Sequence, residues 1–397
     1  MRGWLEKLIA VRDQPMRTVV GLISGTSADS IDVAVCRFGG PQPVRLIHYA
    51  EHPYDPDVQR RVRNISALNV RDVAELHVLV AEQFASACLA TLAVAGLSTA
   101  DVDLVGSHGQ TIYHHSSVSG AIRATLQVGD GDVIAERTGL PVVSDFRARD
   151  IAAGGEGAPL SPRADLVLFA PGDGATVHRR AVLNLGGIAN VTILDDDPAR
   201  VFGFDTGPAN APLDRLARRL TAGAIGFDRN GSIARSGRVN HPLLHQLIAE
   251  DAYLARVPPK STGFEMYGDS FVDRVAGLHG GEDADLMATL TEFTALTVAD
   301  AFAHYVHVCP PVDEIVAAGG GVKNPFLMER LAARLAPIRQ RRSDELGVPA
   351  DAREAMAFAV LADLALLGRT ASLPSVTGCR RAVPLGKLSF PSFGPES

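Results

Sequence analysis

The most constraining feature of the sequence is a hairpin-like stretch, residues 18–35, whose layout recurs half a chain later. An apolar run ends at the polar turn Ser24-Gly25-Thr26-Ser27, and the residues after it alternate between apolar and polar. That alternation is typical of a half-buried strand. Residues 181–194 repeat the layout, with an apolar strand, the turn Gly186-Gly187 and a second alternating strand. The chain is therefore predicted to consist of two related halves.

Helical patterns follow both hairpins. Apolar residues recur every three or four positions over 72–95, and further helices are predicted over 212–220, 283–306 and 351–368. Strands that alternate with helices in two halves indicate the α/β class, with a ligand in the cleft between domains. The glycine-rich segment 141–162 is the best candidate for the hinge.

Composition narrows the class of partner. The 397 residues are 46% hydrophobic and 21% charged, with a formal net charge of −7 and no block of basic residues. This argues against nucleic acid or an anionic membrane surface as the main partner. We expect no signal peptide, because the first 15 residues lack its pattern, and no apolar run of the roughly 18 residues that span a bilayer. Four scattered cysteines favour reduced thiols in a cytoplasm.

The first hairpin turn has the chemistry of a phosphate loop. It offers backbone N–H groups, two hydroxyls and the carboxylates of Asp29 and Asp32, which suit phosphate oxygens and a metal ion. An ordinary polar hairpin explains the same residues. A later turn, Gly319-Gly320-Gly321, lies between a predicted strand and helix, where backbone can approach a ligand closely. Neither standard nucleotide fingerprint is present, so a nucleotide would have to bind through the separated turns.

Asp205 ends a predicted strand, in Phe204-Asp205-Thr206-Gly207, where it could act as a general base. It could equally form an Asx-turn or a helix N-cap. The same letters spell an aspartic protease turn, but such a protease needs a second copy, which the sequence lacks. Glu354 could point into a cleft or form a helix-capping pair with Asp351. His108, His114 and His115 have no metal-ligand spacing and suggest a polar loop.

Ten sequence blocks, in order from about Val19 to Gly378, resemble the anhydro-N-acetylmuramic acid kinase family. The blocks are LISGTSADSID (22–32), SHGQTIYH (107–114), QVGDGDVIAERTG (127–139), DFRARDIAAGGEGAPL (145–160), NLGGIANVT (184–192), GFDTGPAN (203–210), PPKSTG (258–263), TLTEFTA (289–295), AAGGGVKNPFLM (317–328) and EAMAFAVLA (354–362). The resemblance implies a two-domain actin/hexokinase-like (ribonuclease H-like) fold with the active site in the interdomain cleft. We predict domain I over 17–153 plus 372–397, domain II over 154–371, and an extension over 1–16.

The resemblance also implies an activity and its residues. The family uses ATP and Mg²⁺ to open the 1,6-anhydro ring of anhydro-N-acetylmuramic acid and to phosphorylate O6, in cell-wall recycling. Asp205 is the implied base, and Asp29 and Glu354 are implied to lie near the metal. The implied nucleotide-binding residues are Gly25, Thr26, Ser27, Ala28, Asp29, Ser30, Ile31, Asp32, Gly186, Gly187, Gly319, Gly320 and Gly321, and the implied substrate-binding residues are His108, Gln110, Thr111, Asp130 and Lys260. A cytoplasmic homodimer is the implied form.

The chain departs from the usual family pattern at four positions: Ser30 for Gly, Glu156 for Gln, Ala209 for Gly and Phe264 for Arg. A serine at a position that needs positive φ would be strained. Loss of a cation at 264 bears on recognition of an anionic sugar. The alternatives are therefore a kinase of an uncharged 1,6-anhydro sugar such as levoglucosan, and a catalytically silent sugar- or nucleotide-binding regulator.

Overall fold

A computed structural model describes residues 3–25, 28–40, 42–115, 122–170, 179–258, 260–306 and 311–392. The strands are β1 (Arg17–Ser24), β2 (Ser30–Phe38), β3 (Val44–Pro53), β4 (Leu104–His115), β5 (Ala124–Val128), β6 (Val142–Ser144), β7 (Arg180–Leu185), β8 (Ile188–Ile193), β9 (Phe202–Pro208), β10 (Glu314–Ala318), β11 (Arg339–Arg342) and β12 (Lys387–Ser389). The helices are α1 (Trp4–Arg12), α2 (Pro56–Arg63), α3 (Val70–Val94), α4 (Gly131–Thr138), α5 (Phe146–Ala152), α6 (Ser161–Leu168), α7 (Asn210–Leu220), α8 (Ser232–Ser236), α9 (His241–Glu250), α10 (Phe264–Tyr267), α11 (Asp269–His279), α12 (Asp283–Ala301), α13 (Pro325–Leu335), α14 (Arg353–Leu366) and α15 (Pro374–Thr377).

The chain divides into two compact units. Unit 1 contains residues 1–172 and 352–397, and unit 2 is the single stretch 173–351. The segment 154–172 and helix α14 thus belong to unit 1, whereas the predicted boundaries assigned both to domain II. The predicted hinge is not where the units divide. Its glycines are fixed within unit 1, where Gly157 N donates to Asp150 Oδ2 at 2.8 Å and Thr377 Oγ1 donates to Asp150 Oδ1 at 2.7 Å.

The two units are built on sheets of the same topology. In unit 1 the strand order is β12-β6-β4-β1-β2-β3, with β5 beside β4, and in unit 2 it is β11-β10-β7-β8-β9. In each sheet the first three strands are antiparallel neighbours, and the next two run parallel to the first. This shared 3-2-1-4-5 order is that of the actin/hexokinase-like (ribonuclease H-like) fold. The predicted fold class is confirmed.

Helices cover the sheet of unit 1. The predicted buried stripe of α3 is confirmed at Leu76, Val80 and Phe84, which pack into the core. The helix begins two residues before the predicted start, because the Asn69 side chain accepts from Asp72 N and completes a capping box. Helix α14 packs against β1 at Gly21, where a Cβ would lie 1.8 Å from the carbonyl oxygen of Ala355. A side chain there would push the helix off the sheet.

Unit 2 has two adjoining apolar clusters, one under its sheet and one among α7, α9, α11 and α12. Asn324 caps α13, with its Oδ1 accepting from Leu327 N at 3.1 Å, and Pro325 occupies the first turn, as predicted. The helices over 70–94 and 283–306 have the length and composition of membrane spans, contrary to expectation. Core helices pass the same test, and the most apolar stretch of the second is 78% buried.

Candidate active site

The turn after β1 is held in place by a buried glutamine, Gln110. Gln110 Nε2 donates to the Gly25 carbonyl at 3.1 Å, and the Tyr54 hydroxyl donates to Gln110 Oε1 at 3.2 Å. Ala28 N bonds the Gly25 carbonyl at 3.0 Å, and Ala28 takes the positive φ of 51°. Thr26 and Ser27, both predicted to bind nucleotide, lie outside the described residues. Gln110 therefore positions the predicted phosphate loop from within the protein.

Ser30 has strand backbone, paired with Pro53 in the β2–β3 ladder. The strain considered for this serine is absent, since the positive φ falls on Ala28 instead. Ser30 Oγ donates to Asp32 Oδ1 at 3.0 Å. The neighbouring Ile31 is buried in the core and can offer a ligand only its backbone.

Asp32 lies among carboxylates. Burial raises the pKa of Asp32 to about 6, against the hydrogen bond from Ser30, and the negative charges of Glu51 and Glu354 raise it further. The residue before Glu354 is Arg353, whose Nε donates to the buried Asp165 of α6 at 3.0 Å. The capping pair of Glu354 with Asp351 does not form, because α14 begins at Arg353 without a side-chain cap.

Asp29 is exposed, and its Oδ1 pairs with Arg63 Nη2 at 2.5 Å. No interaction joins it to Glu354 among the described residues, although the two were predicted to share a metal ion. Across the described part of the chain, no group of three or more His, Cys, Asp or Glu is arranged to hold a metal. The charge of Glu354 instead acts on Asp32, whose pKa it raises together with the charge of Glu51.

His108 is buried and holds an arginine that the sequence reasoning missed. Its Nδ1 bonds the Gly109 carbonyl at 3.0 Å, and its Nε2 accepts from Arg147 Nε at 2.9 Å. Burial and the Arg147 charge keep the pKa of His108 well below its usual value, so the ring is a neutral acceptor. Arg147 Nη1 donates to the Gly157 carbonyl at 2.8 Å. Nη2 has no hydrogen-bond partner within the described ranges.

The charge of Glu354 acts on Arg147. Burial lowers the pKa of Arg147 to about 10, while the negative charge of Glu354 raises it. His108, predicted to contact substrate, thus orients a cation next to the carboxylates of unit 1. The sequence contained one indication of Arg147: it is a charged residue just after the short strand β6, inside one of the ten blocks.

Two more predicted substrate residues have structural partners. Asp130 caps α4, with Oδ1 accepting from Asp132 N at 2.8 Å and Val133 N at 3.0 Å, and its Oδ2 pairs with His77 at 3.1 Å. Thr111 Oγ1 accepts from Gln127 at 3.2 Å. These contacts occupy both oxygens of Asp130.

Asp205 lies in β9, opposite Asn190 of β8, so it is neither an N-cap nor an Asx-turn residue. Thr262 N donates to its Oδ2 at 2.9 Å. Oδ1 accepts no hydrogen bond from the residues that the structure describes. Burial raises the pKa of Asp205 to about 6, the Thr262 N–H lowers it, and the charge of Glu265 raises it. An oriented carboxylate with a pKa near 6 and an available oxygen suits a general base.

Lys260 belongs to the same loop and is enclosed by aromatic rings. Its Nζ lies 4.9 Å from the ring centroid of Tyr253, 5.3 Å from that of Tyr305 and 6.0 Å from that of Phe204. It donates to the Leu254 carbonyl at 3.2 Å, and burial lowers its pKa. The backbone carbonyl of Lys260 accepts from Asp205 N at 3.2 Å. The lysine thus fixes the loop that orients Asp205.

Phe264 is 55% exposed, with the Arg215 guanidinium 5.0 Å from its ring centroid. A Cβ on Gly187 would lie 2.9 Å from this ring. The carbonyls of Gly186 and Gly187 accept from backbone N–H groups at the start of α7, including Asn210 N at 3.0 Å. The second hairpin turn is therefore built into the start of that helix.

The triple-glycine turn follows β10, where Gly319 has φ +82°. Cβ atoms on Gly319 and Gly321 would lie 2.7 Å from Asn184 Oδ1 and 2.6 Å from Leu185 Cβ, so both glycines permit close packing on the end of β7. Gly320 differs, because it lines a cavity of about 270 Å³ within unit 2, together with residues of α7.

The chain is similar in sequence to proteins of known family. The sequence model described as "Anhydro-N-acetylmuramic acid kinase" matches residues 17–391. A protein of that name from Caldanaerobacter subterraneus subsp. tengcongensis is 37% identical, covering 97% of this chain and all of the relative. One from Salinibacter ruber is 41% identical, covering 98% of this chain and all of the relative. Among solved structures, a ROK family glucokinase from Streptomyces griseus has a TM-score of 0.36 and 15% identity, covering 87% of this chain and 99% of that one.

These sequence matches make the chain an enzyme of the kinase class, a phosphotransferase. It belongs to the anhydro-N-acetylmuramic acid kinase family.

Proposed function

We propose that this chain uses ATP to convert 1,6-anhydro-N-acetylmuramic acid into N-acetylmuramic acid 6-phosphate, in cell-wall recycling. The observation that carries the proposal is Asp205, a carboxylate with a raised pKa of about 6, one oxygen held by Thr262 N and the other available. Family membership supports the sugar and the phosphoryl transfer. A cytoplasmic homodimer stays a prediction.

In the proposed reaction, Asp205 takes a proton from a water whose oxygen bonds to the anomeric carbon. The bond between that carbon and O6 breaks, O6 bonds to the γ-phosphorus, and ADP leaves. A glycoside hydrolase ordinarily uses a second carboxyl group to protonate the departing oxygen. Here the phosphoryl group captures O6, so one carboxylate suffices. The water remains as the anomeric hydroxyl of the product.

The phosphates would be bound by backbone N–H groups of the two hairpin turns. Asp32 and Glu354 fit a magnesium ion, because the negative charge of Glu354 raises the pKa of Asp32 and a bound cation would offset that repulsion. Magnesium commonly takes one or two carboxylates together with water and phosphate oxygens. When bound, it would neutralise charge on the transferring phosphoryl group. Asp29, exposed and paired with Arg63, fits less well.

Arg147 would recognise an anion. Its Nε and Nη1 are held by His108 and Gly157, which fixes the plane of the guanidinium and leaves Nη2 for a ligand. A lactyl carboxylate is the anion that distinguishes anhydro-N-acetylmuramic acid from an uncharged anhydro sugar. Arg147 thus offers a cation in a chain that has Phe264 where the family usually has arginine.

The test is a coupled assay that follows ADP release by absorbance, with anhydro-N-acetylmuramic acid and levoglucosan as acceptors. We expect turnover with the first sugar, a product whose phosphorus signal is that of a 6-phosphate, and kcat/KM at least 100-fold lower with levoglucosan. The reverse preference would support the kinase of an uncharged sugar. Nucleotide binding without turnover on either sugar would support the silent regulator.

A further inference from the structure

Helix α2 holds the last residues of the turn after β1. The side-chain amide of Gln59 donates to the Ala28 carbonyl at 2.9 Å, across 31 residues of sequence. Arg63, one helical turn after Gln59, pairs with the Asp29 carboxylate at 2.5 Å. Residues four apart lie on one face of a helix, so that face of α2 contacts two consecutive residues of the turn. The turn is therefore fixed to α2 as well as to Gln110.

Helix α2 is itself firmly placed within unit 1. Val58 and Val62 are buried in the core. Asp55 caps the helix, with its Oδ1 accepting from Asp57 N at 2.9 Å, and Asp55 N donates to Gln83 Oε1 of α3 at 3.0 Å. The half-buried Gln59 side chain thus extends from a fixed support toward the turn.

Ala28 has a backbone conformation that alanine rarely adopts. Its φ of +51° lies in the left-handed region, where Cβ comes too close to the following carbonyl oxygen. A residue stays in such a conformation only when its surroundings impose it. Ala28 N donates to the Gly25 carbonyl, and the methyl group is fully buried. Among the described residues, Gln59 is the one that donates to the Ala28 carbonyl.

The direction of the Ala28 carbonyl determines the direction of the next N–H group. The peptide bond between Ala28 and Asp29 is trans, and in a trans peptide the C=O and N–H groups point in opposite directions. Since Gln59 binds the carbonyl, the N–H of Asp29 points away from Gln59. This N–H donates to no group in the part of the chain that the structure describes. An N–H group of fixed direction without a partner suits a phosphate oxygen.

We propose that Gln59 is a positioning residue for phosphoryl transfer: it keeps Ala28 in the left-handed conformation, so that the N–H of Asp29 faces the phosphates of the nucleotide. The proposal rests on the proposed kinase function. Gln59 acts through the loop and not by contact with the nucleotide or the sugar. Without it, Ala28 would relax toward negative φ, and its carbonyl oxygen could turn toward the phosphates and repel them.

The experiment is steady-state kinetics of the full chain, with ATP and anhydro-N-acetylmuramic acid varied in turn. Gln59→Met keeps the length and helix propensity of the side chain but lacks the donor. It should raise the KM for ATP about 5- to 30-fold, the range for a carbonyl left without its donor, and change the KM for the sugar less than twofold. Calorimetric titration with ADP should show the same loss as the KM for ATP.

Gln246→Met is the matched control, because the Gln246 amide also donates to an oxygen, Glu250 Oε1 at 2.9 Å, on the exposed face of α9. It should leave both KM values unchanged. Ala28→Gly distinguishes positioning of the loop from general support of the fold. Glycine adopts positive φ at little cost, so Gln59→Met should raise the KM for ATP less than threefold in the Ala28→Gly background. Equal factors in both backgrounds would mean that the two residues act independently, and would overturn the proposal.

The role of Gln59 and the kinase function can fail separately. If Gln59→Met leaves the KM for ATP within twofold, or raises the KM for ATP and the KM for the sugar alike, Gln59 does not position the phosphate loop, whereas the kinase function stands. If the unmodified chain binds no nucleotide and phosphorylates no sugar, the proposed function has failed, and the proposed role of Gln59 with it.

Discussion

The backbone N–H of Thr262 donates a 2.9 Å hydrogen bond to Oδ2 of Asp205, across 57 residues of sequence. Tyr253 completes the arrangement, because its hydroxyl donates to the Asp205 carbonyl at 2.6 Å. The side chain and the backbone of Asp205 are thus both fixed by one loop. One carboxylate oxygen is used for orientation, and the other is left for a proton.

Asp205→Asn should abolish turnover and leave nucleotide binding nearly unchanged. Removing a general base costs at least the 10²- to 10⁴-fold typical of such groups. Steady-state kinetics and calorimetry with ADP measure the two properties. Turnover within tenfold of the unmodified enzyme would show that Asp205 is not the base.

The acid limb of the pH–rate profile should fall below about pH 6, because the base must be ionised and its pKa is raised to that value. Asp32 has a similar pKa, so a second variant is needed. Glu265→Gln removes a negative charge that raises the pKa of Asp205, and should move the limb to lower pH. Glu250→Gln, an exposed control in the same unit, should leave it in place. If the acid limb does not move in Glu265→Gln, it reports the ionisation of a group other than Asp205.

The same raised pKa predicts a gain in stability for Asp205→Asn. A carboxyl group whose folded pKa exceeds its unfolded value of 3.8 binds its proton more tightly when folded. The free energy of unfolding therefore decreases as pH rises from about 4 to 6. At pH 7.5 the variant should be more stable by up to about 3 kcal/mol, and at pH 4 the gain should disappear. Melting temperatures at the two pH values test this, and an equal change at both would contradict it.

Lys260→Met should lower kcat at least tenfold and change the KM for the sugar less than threefold. Methionine keeps the apolar stem but loses the charge that faces three rings and the bond to the Leu254 carbonyl. The loop would then hold Asp205 less firmly. Lys387→Met, an exposed lysine of β12, is the control. A raised KM with unchanged kcat would instead mean that Lys260 contacts the sugar, as the sequence suggested.

Asp32→Asn should weaken divalent metal binding at least tenfold, and Asp29→Asn less than threefold. The reason is that Asp32 faces the charge of Glu354, whereas Asp29 is paired with Arg63. Titration of Mn²⁺ in the presence of ADP, followed by electron paramagnetic resonance, measures the affinity directly. The opposite ranking would support the pair predicted from sequence, Asp29 and Glu354.

His108→Leu should raise the KM for the sugar at least tenfold, because Arg147 Nε would lose its acceptor. His108→Gln retains an acceptor and should recover much of the loss. The double variant His108→Leu with Arg147→Ala should be no worse than Arg147→Ala alone. Additive losses would mean that His108 acts on substrate by itself.

Local patterns were enough to predict the two hairpins, helix α3 and the Asn324 cap, because neighbouring residues determine each of them. The partners of His108, Lys260 and Asp130 could not be predicted in this way. Arg147 is 39 residues from His108, and two of the three rings around Lys260 come from β9 and the turn after α12. A polar residue in a family block looks the same in sequence whether it binds a ligand or holds a neighbour.

The domain boundaries illustrate the same limit. Helix α14 follows unit 2 in the chain, so its sequence position favoured domain II. Its contacts are with β1, where Gly21 admits the Ala355 backbone, and with Arg17, whose Nε donates to Asp363 Oδ1 at 2.6 Å. The small residues of a strand do not indicate which helix will pack against them.

The division of unit 1 into two separated segments has a consequence for synthesis on the ribosome. Strands β1 and β4 emerge early, but α14, which covers them, comes after all 179 residues from 173 to 351. At a translation rate of about 5–20 residues per second, the apolar face of these strands stays uncovered for about 10–40 s until α14 has been synthesised. Unit 2 is continuous and can fold during that interval. Synthesis of unit 1 thus begins first but is completed last. Unit 1 is therefore the part that a ribosome-associated chaperone would have to shield.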